Sequence, residues 1–138
     1  MTTPPKKATP VAKSTAPKRF VFQLLDRFPM LSFASAIEPL RIANRVIGAP
    51  AYSWVLAGEG DGVVTCSNGA SFALDFGLGE VERDDTILVC GGIDVQKATT
   101  KGILAWLRRE ARRGIAIGGL CTGAYALAKA GLLDGKRA

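Results

Sequence analysis

Histidine is absent from the 138 residues of this chain, and with it the most common general base and the most common zinc ligand. No serine or cysteine here can therefore be activated by a histidine of the same chain. No apolar run approaches the roughly 18–20 residues that cross a bilayer, so we expect no membrane partner. The sequence also has no glycine-rich loop of the GxGxxG or Walker type. We therefore predict no cofactor and no bound metal.

Cysteine is scarce as well. The chain has three cysteines, Cys66, Cys90 and Cys121, an odd number without CxxC spacing. This usage favours a reducing compartment over a disulfide framework. The basic N-terminus lacks the apolar segment of a secretory signal. Together these observations predict a cytoplasmic location.

Acidic residues are missing from the first 19 residues, although the whole chain has 12. The same segment contains five basic residues, so most of the net charge of +6 belongs to it and the rest of the chain is nearly neutral. We predict that residues 1–18 form a disordered basic tail and that residues 19–138 form one folded domain. A solvated tail is favoured over nonspecific contact with nucleic acid.

Apolar segments that fit strands and helices alternate after residue 19. The patterns predict strands at 20–25, 52–57, 63–66, 71–74, 86–90 and from 115, and helices at 30–46, 99–113 and 122–130. In the first helix, apolar residues fall near helical spacing at Leu31, Ala34, Ile37, Leu40 or Ile42, and Val46, and Pro39 predicts a kink. Fully apolar strands between helices predict an α/β fold: an open, mostly parallel, flavodoxin-like three-layer sandwich. The chain stops where another strand is expected, so we expect this fold to be incomplete at its C-terminal end.

One stretch, residues 115–128, is the best candidate for a functional centre. A β-branched run ends at Gly118 and Gly119, Cys121 follows, and a helical pattern begins at once. This is the pattern of a strand-turn-helix elbow, which holds its central side chain over a helix N-terminus. Such a position favours a thiolate, but it equally suits binding of an anion or polar ligand without chemistry. The alternative is an inert, buried thiol.

Three predicted turns meet at the carboxyl edge of the sheet, where ligands bind in such folds. They are the turns at 26–32, 90–93 and 119–123. Asp26 lies in the first turn, and Gly91, Gly92 and Ile93 lie in the second. The two glycines could present backbone N–H groups to an oxyanion or a carboxylate, or they could form a plain turn.

A base for Cys121 is hard to find in the sequence. Thr122 can donate a hydrogen bond but cannot accept a proton near neutral pH. Asp26 and Glu38 are the carboxylates that could serve, and both are distant in sequence. Glu38 either pairs with Arg41 on the surface or points into the cleft, and both interpretations remain open.

Three segments resemble a known family: FASAIEPLRIAN at 33–44, LVCGG at 88–92 and CTGAYALAKAGLLDG at 121–135. They resemble the ThiJ/PfpI superfamily, which has a class I glutamine-amidotransferase-like fold. More specifically, they are similar to the N-terminal domain of GlxA-type transcriptional regulators of the AraC family. The resemblance implies a domain that senses a small molecule, nitrogenous or amino-acid-like, and we expect a homo-oligomer.

Two departures from the superfamily's enzymes support a protein that is not an enzyme. Those enzymes follow the elbow cysteine with histidine, where this chain has Thr122. They also hold a glutamate of the first helix against the cysteine, and the nearest position here is Ser32. The predicted ligand-binding residues are Cys121, Thr122, Gly91, Gly92, Ile93, Ser32, Glu38 and Asp26. The alternatives are a cysteine-dependent hydrolase, amidotransferase-like or glyoxalase-like enzyme, and a dimerisation module without a ligand.

The regulators that this chain resembles continue beyond the matched segment. They complete the domain and then carry a C-terminal pair of helix-turn-helix motifs that binds DNA. Residues 19–138 contain neither part, so we expect a fragment or a truncated gene product, with DNA binding left to the absent domain. Missing strands would expose a sheet edge and apolar surface, which predicts low stability or association.

Overall fold

The predicted alternation of strands and helices is found in the computed structural model, which describes residues 16–79 and 81–137. Most of the predicted tail, residues 1–15, lies outside the described residues, and Lys18 already belongs to the first strand. The elements are β1 (Lys18–Leu24), α1 (Met30–Ile47), β2 (Tyr52–Ala57), β3 (Val63–Thr65), β4 (Ser71–Ala73), β5 (Thr86–Gly91), α2 (Val95–Ala98), α3 (Lys101–Arg112), β6 (Ala116–Cys121) and α4 (Gly123–Lys129). The helix predicted at 99–113 is therefore preceded by a separate short turn of helix, α2.

Four parallel strands form the main sheet in the order β2-β1-β5-β6, and β3 and β4 form an antiparallel pair beside it. The predicted open parallel sheet is confirmed. The chain runs from β1 outward to β2 and later returns to β5 on the opposite side of β1. Because the strand order reverses between β1 and β5, a crevice opens beyond their carboxyl ends. This crevice is where the predicted site lies.

Side chains of β1 alternate between the two faces of the sheet, as the pleat of a strand requires. Val21 and Leu25 pack in the core layer beneath α3 and α4. Phe22 and Leu24 pack in the opposite layer, with α1 and the β3–β4 pair. Two buried layers therefore sandwich one sheet, which explains why the strands read as continuous apolar runs.

The apolar pattern predicted for α1 faces the core only in part: Ile37 and Leu40 pack against the layer that contains Phe22, whereas the two ends of the pattern do not. Leu31 and Val46, expected to face the core, are 78% and 80% exposed. Phe33 is buried instead, where its ring packs edge-on against Phe22 with centroids 5.3 Å apart. The ring contacts of Phe33 with the sheet layer set the rotation of the helix. Helix α1 continues through Pro39 as one element and ends at Gly48, whose φ is +77°.

Three arginines in or just after α3 make contacts within the domain. Arg108 donates hydrogen bonds to the carbonyl oxygens of Ala130 and Lys129, at 3.1 and 3.2 Å, and so caps the end of α4. Arg109 and Arg113 both pair with the buried carboxylate of Glu110. These contacts favour a structural face over a binding patch, since the guanidinium groups of Arg108, Arg109 and Arg113 are already bonded within the chain.

Candidate functional site

Cys121 ends β6 in the geometry of an elbow. Its φ is +54°, and among the described residues Arg27 is the other non-glycine residue with positive φ. A cysteine in the left-handed region is strained, and such strain is typical of functional turns. The Cys121 thiol is exposed, so the inert, buried thiol considered from the sequence is not what the structure contains.

Backbone segments approach one another so closely around the elbow that several positions there can hold only glycine. A Cβ on Gly119 would lie 2.7 Å from the amide nitrogen of Ala124, and a Cβ on Gly91 would lie 3.0 Å from that of Gly123. A Cβ on Gly92 would overlap the carbonyl oxygen of Arg27, and one on Gly123 would overlap that of Val89. The turns after β1, β5 and β6 therefore pack directly on one another. This packing gives the Gly91–Gly92 pair a structural role whether or not it also binds a ligand.

Thr122 joins two of these turns. Its hydroxyl donates a hydrogen bond of 2.7 Å to the carbonyl oxygen of Gly92. It is the N-cap residue of α4 but makes no side-chain hydrogen bond to that helix. The hydroxyl that follows the elbow cysteine is thus engaged with the backbone of the β5 turn.

The Cys121 thiol has no proton acceptor hydrogen-bonded to it within residues 16–79 and 81–137. The neighbouring Cys90 is fully buried, and burial, together with the nearby Cys121, raises the pKa of the Cys90 thiol to about 12. Cys90 is therefore a neutral thiol at physiological pH and cannot act as a base. Nucleophilic catalysis needs an adjacent base or an ion partner, and the elbow as described supplies neither.

Glu38, predicted as a ligand residue or a surface pair, is a surface pair. Its carboxylate accepts two hydrogen bonds from the Arg41 guanidinium, at 2.7 and 2.9 Å, and both side chains are about half exposed. The hydrogen bonds from Arg41 lower the pKa of Glu38. The residue lies midway along α1, and its carboxylate is occupied there.

A cavity of about 410 Å³ opens at the carboxyl ends of β1 and β2. Its charged lining residues are Asp26, Arg27, Glu59, Asp94 and Lys97, and its other lining residues are Leu24, Leu25, Ala98, Thr100 and Ile103. The volume falls within the range of small-molecule sites, about 300–1,000 Å³.

Two contacts organise the polar wall of this cavity. Arg27 and Asp94 form an ion pair of 3.3 Å, and the Thr100 hydroxyl donates a hydrogen bond of 2.6 Å to Glu59. Both signs of charge therefore line the same space.

The predicted site residues divide into three groups. The structure brings Cys121, Thr122, Gly91 and Gly92 together at the elbow. Asp26 lines the cavity, and the carbonyl of the next residue, Arg27, packs against Gly92, so the two regions share one turn. The remaining predicted residues are outside both groups: Ile93 is 73% exposed on the β5 turn, Ser32 is half-buried in the first turn of α1, and Glu38 is on the surface.

Sequence reasoning missed most of the cavity. Arg27, Glu59, Asp94, Lys97 and Thr100 were not predicted as site residues. The available signal was position, because Arg27, Glu59 and Asp94 each follow the carboxyl end of a strand by one to three residues. The segment after β2 was interpreted only as a turn, so Glu59 was not predicted as a site residue.

The described residues contain no group of three or more histidine, cysteine, aspartate or glutamate side chains that could hold a metal ion. Across the same ranges, no helix has the length and apolar character needed to span a membrane.

The fold and the elbow define a class: parallel α/β domains that carry a cysteine on a strand-to-helix turn. The chain matches the model of the DJ-1/PfpI family over residues 29–138 and belongs to that family. The resemblance noted in the sequence at 33–44, 88–92 and 121–135 is thereby confirmed.

Several of the similar proteins are named as transcriptional regulators. The HTH-type transcriptional regulator GbdR of Pseudomonas aeruginosa is 40% identical over 119 residues, which cover 86% of this chain and 32% of that protein. The HTH-type transcriptional regulator GlxA of Rhizobium meliloti is 42% identical over 120 residues, covering 86% and 37%. The crystal structure of an AraC family transcriptional regulator from Pseudomonas putida superposes with a TM-score of 0.75 at 29% identity, covering 87% of this chain and 64% of that one. The chain thus spans about a third of the length of these curated relatives.

Proposed function

We propose that this chain is the small-molecule-sensing part of an AraC-type transcriptional regulator, and that it binds its effector without converting it. The observation that carries the proposal is the elbow itself. Cys121 is held in the strained geometry of a nucleophile, yet none of the described residues offers it a hydrogen-bonded proton acceptor, and Thr122 stands where the superfamily's enzymes have histidine. The names of the relatives GbdR, CdhR and GlxA, which are HTH-type transcriptional regulators, support the same assignment.

The effector site comprises the elbow and the adjoining cavity, which are joined through the turn at Asp26 and Arg27. A ligand there meets carboxylates from Asp26 and Glu59 and an ammonium group from Lys97. Groups of both signs fit a small ligand that carries both charges, in agreement with the nitrogenous or amino-acid-like effector expected from the family. Orientation by opposite charges at its two ends would distinguish such a ligand from a simple amine or acid.

The coverage of the relatives supports a proposal for the rest of the regulator. DNA binding is assigned to a helix-turn-helix region outside the matched third of their length, and the sensing part acts as a homo-oligomer in the cytoplasm.

The test is a binding screen followed by a search for turnover. The intact chain is titrated with amino acids and small amines by thermal shift, and hits are measured by calorimetry. A ligand at 100 times its dissociation constant stabilises the fold by about 2.7 kcal/mol. We expect Glu59→Gln and Lys97→Met to weaken binding at least tenfold, while Asp61→Asn, an exposed carboxylate outside the cavity, leaves it unchanged.

The second candidate is a cysteine-dependent enzyme, which the exposed thiol of Cys121 at φ +54° favours. Product formation from any bound compound is followed by NMR in the wild type and in Cys121→Ser. We expect no conversion by either protein and retained binding by the variant. Conversion that disappears in Cys121→Ser would establish the enzyme and refute the sensing proposal.

A further inference from the structure

Two buried polar side chains, Gln23 and Trp106, are not hydrogen-bonded to the rest of the domain. Within residues 16–79 and 81–137, the buried side-chain nitrogen and oxygen atoms without a partner are Nε2 and Oε1 of Gln23 and Nε1 of Trp106. Gln23 is fully buried, and Trp106 is 4% exposed. Buried polar groups in folded proteins are nearly always bonded, so each exception calls for an explanation.

All three atoms belong to one layer of the core. Gln23 lies two residues before Leu25, and the pleat of the strand turns both side chains toward the layer beneath α3 and α4. Trp106 packs in that layer from α3. The residues beside Gln23 on the adjacent strands are Ala57 and Val89, both fully buried. Neither of these two side chains can donate or accept a hydrogen bond.

The cavity at the carboxyl ends of β1 and β2 borders this layer. Leu25 and Ile103 line the cavity, yet they are 1% and 2% exposed and belong to the same core cluster as Trp106. They therefore form the closed inner wall of the cavity. Gln23 precedes Leu25 by about 7 Å between Cα atoms on the same face of the strand, and Trp106 follows Ile103 by about one turn of α3. Each unpartnered side chain thus lies one step behind a residue of the wall.

We propose that Gln23 and Trp106 form an inner compartment of the effector site, which opens when the side chains of Leu25 and Ile103 move aside and which binds a neutral carboxamide group. This inference rests on the effector site proposed above, because the cavity of that site gives access to the compartment. The primary amide of Gln23 has a donor and an acceptor side by side. A second carboxamide presents the same two groups in reverse, so the two amides can form a pair of hydrogen bonds. The indole N–H of Trp106 supplies a further donor.

The surroundings of the compartment exclude a charged group. The core cluster around it is apolar, and burial of an unpaired charge among apolar groups is far more costly than burial of a hydrogen-bonded neutral group. The buried carboxylate of α3, Glu110, is already paired with two arginines. Charged residues such as Asp26 and Lys97 line the cavity itself. A ligand that fills both spaces is therefore neutral at its inner end and charged at its outer end.

Probes of equal size test the compartment directly. Acetamide, acetate and acetone have the same number of non-hydrogen atoms, but of the three only acetamide is neutral with both a donor and an acceptor. The isotope-labelled intact chain is titrated with each probe, and NMR follows the side-chain amide of Gln23 and the indole N–H of Trp106. We expect acetamide to shift both signals saturably and to bind at least tenfold more tightly than acetate or acetone. Trp54 packs in the opposite layer, so its indole signal should stay unchanged.

Substitutions at the two glutamines of the chain provide a matched comparison. Gln23→Met removes the amide and should weaken acetamide binding at least tenfold, read at the Trp106 signal. Trp106→Phe removes the indole donor and should weaken it about fivefold, read at the Gln23 signal. The control is Gln96→Met, which makes the same change at an exposed position on α2 and should leave the affinity unchanged. Circular dichroism of each variant verifies that it is folded.

Four results would each overturn the inner compartment: no acetamide-dependent shift at Gln23 and Trp106, equal affinity for acetate or acetone, unchanged affinity in Gln23→Met or Trp106→Phe, or equal weakening by Gln96→Met. The effector site proposed above fails independently of these results. Its test uses charged compounds and variants of Glu59 and Lys97, whereas acetamide has no charge for that wall to bind.

Discussion

Gly119 and Gly118 are adjacent glycines of β6, and replacing each by alanine separates packing at the elbow from local backbone preference. Neither has a positive φ, so alanine is conformationally allowed at both. Glycine inside a strand costs roughly 0.5–1 kcal/mol relative to alanine. Backbone preference alone therefore predicts that both substitutions stabilise the protein.

The surroundings of the two positions predict opposite outcomes. A Cβ on Gly119 would meet three backbone atoms of the first turn of α4, at 2.7, 3.0 and 3.1 Å. A Cβ on Gly118 would meet one atom, a methyl group of Leu88 at 3.3 Å, and this half-buried side chain can move. Forcing α4 away from β6 incurs an overpacking cost of about 1–3 kcal/mol. We expect Gly119→Ala to lower the free energy of unfolding by up to about 2 kcal/mol, and Gly118→Ala to leave it unchanged or raise it by up to about 1 kcal/mol.

Urea unfolding followed by far-ultraviolet circular dichroism measures this difference directly. The rate at which Cys121 reacts with a thiol reagent in the native state gives a second readout, because displacement of α4 also moves the turn that holds the thiol. We expect the rate to change in Gly119→Ala and not in Gly118→Ala. Equal or greater stability of Gly119→Ala than of Gly118→Ala would refute the close approach of β6 and α4 on which the elbow depends.

Three further predictions concern buried and exposed side chains. Gln23 is fully buried, and its amide oxygen and nitrogen have no hydrogen-bond partner among residues 16–79 and 81–137, so Gln23→Met should raise the free energy of unfolding by about 1–3 kcal/mol. A lower free energy of unfolding for the variant, measured by thermal denaturation, would contradict this prediction. Cys121 is exposed whereas Cys66 and Cys90 are buried, so a thiol reagent should modify one cysteine rapidly in the native chain and all three after unfolding. Rapid modification of a second cysteine in the native chain would contradict the burial of Cys66 and Cys90. The pKa of Cys90 is raised from 9.0 to about 12, so its protonated thiol stabilises the folded state fully below pH 9, and this stabilisation should be lost between about pH 9 and 12. In Cys90→Ala the free energy of unfolding should fall less steeply over this pH range, and an unchanged slope would count against the raised pKa.

The sequence predicted the elements well because their signals are local. Strand β2 was predicted with its observed bounds, and β1, α1, β5 and the elbow were predicted to within a few residues. Continuous apolar strands also indicated a sheet covered on both faces, since no other environment buries every side chain of a strand. The family could be recognised for the same reason, because its identifying segments are contiguous.

The site was predicted less completely because its members come from separate loops. The sequence did indicate that Gly91, Gly92, Cys121 and Thr122 lie together, because glycines next to a single cysteine form a recognisable pattern along the chain; their role in ligand binding stays a prediction. The cavity wall formed by Glu59 and Asp94 was missed, because such residues are ordinary loop acids until the sheet order brings their loops together. Leu31 and Val46, which are exposed, were likewise expected to face the core, because helical spacing shows that apolar residues share a face but not which face points inward.

The sequence by itself determined the alternating elements, the position of the elbow and the absence of a histidine to activate its cysteine, because each depends on neighbours along the chain. The tertiary structure alone decided which face of α1 points toward the core, because the ring of Phe33, and not the side chain of Leu31, packs against aromatic rings of the core. It also decided which turns pack together, because the order β2-β1-β5-β6 brings the ends of β1 and β5 side by side. Contacts between residues distant along the chain are stabilised only after the sheet has formed, and no local pattern specifies them.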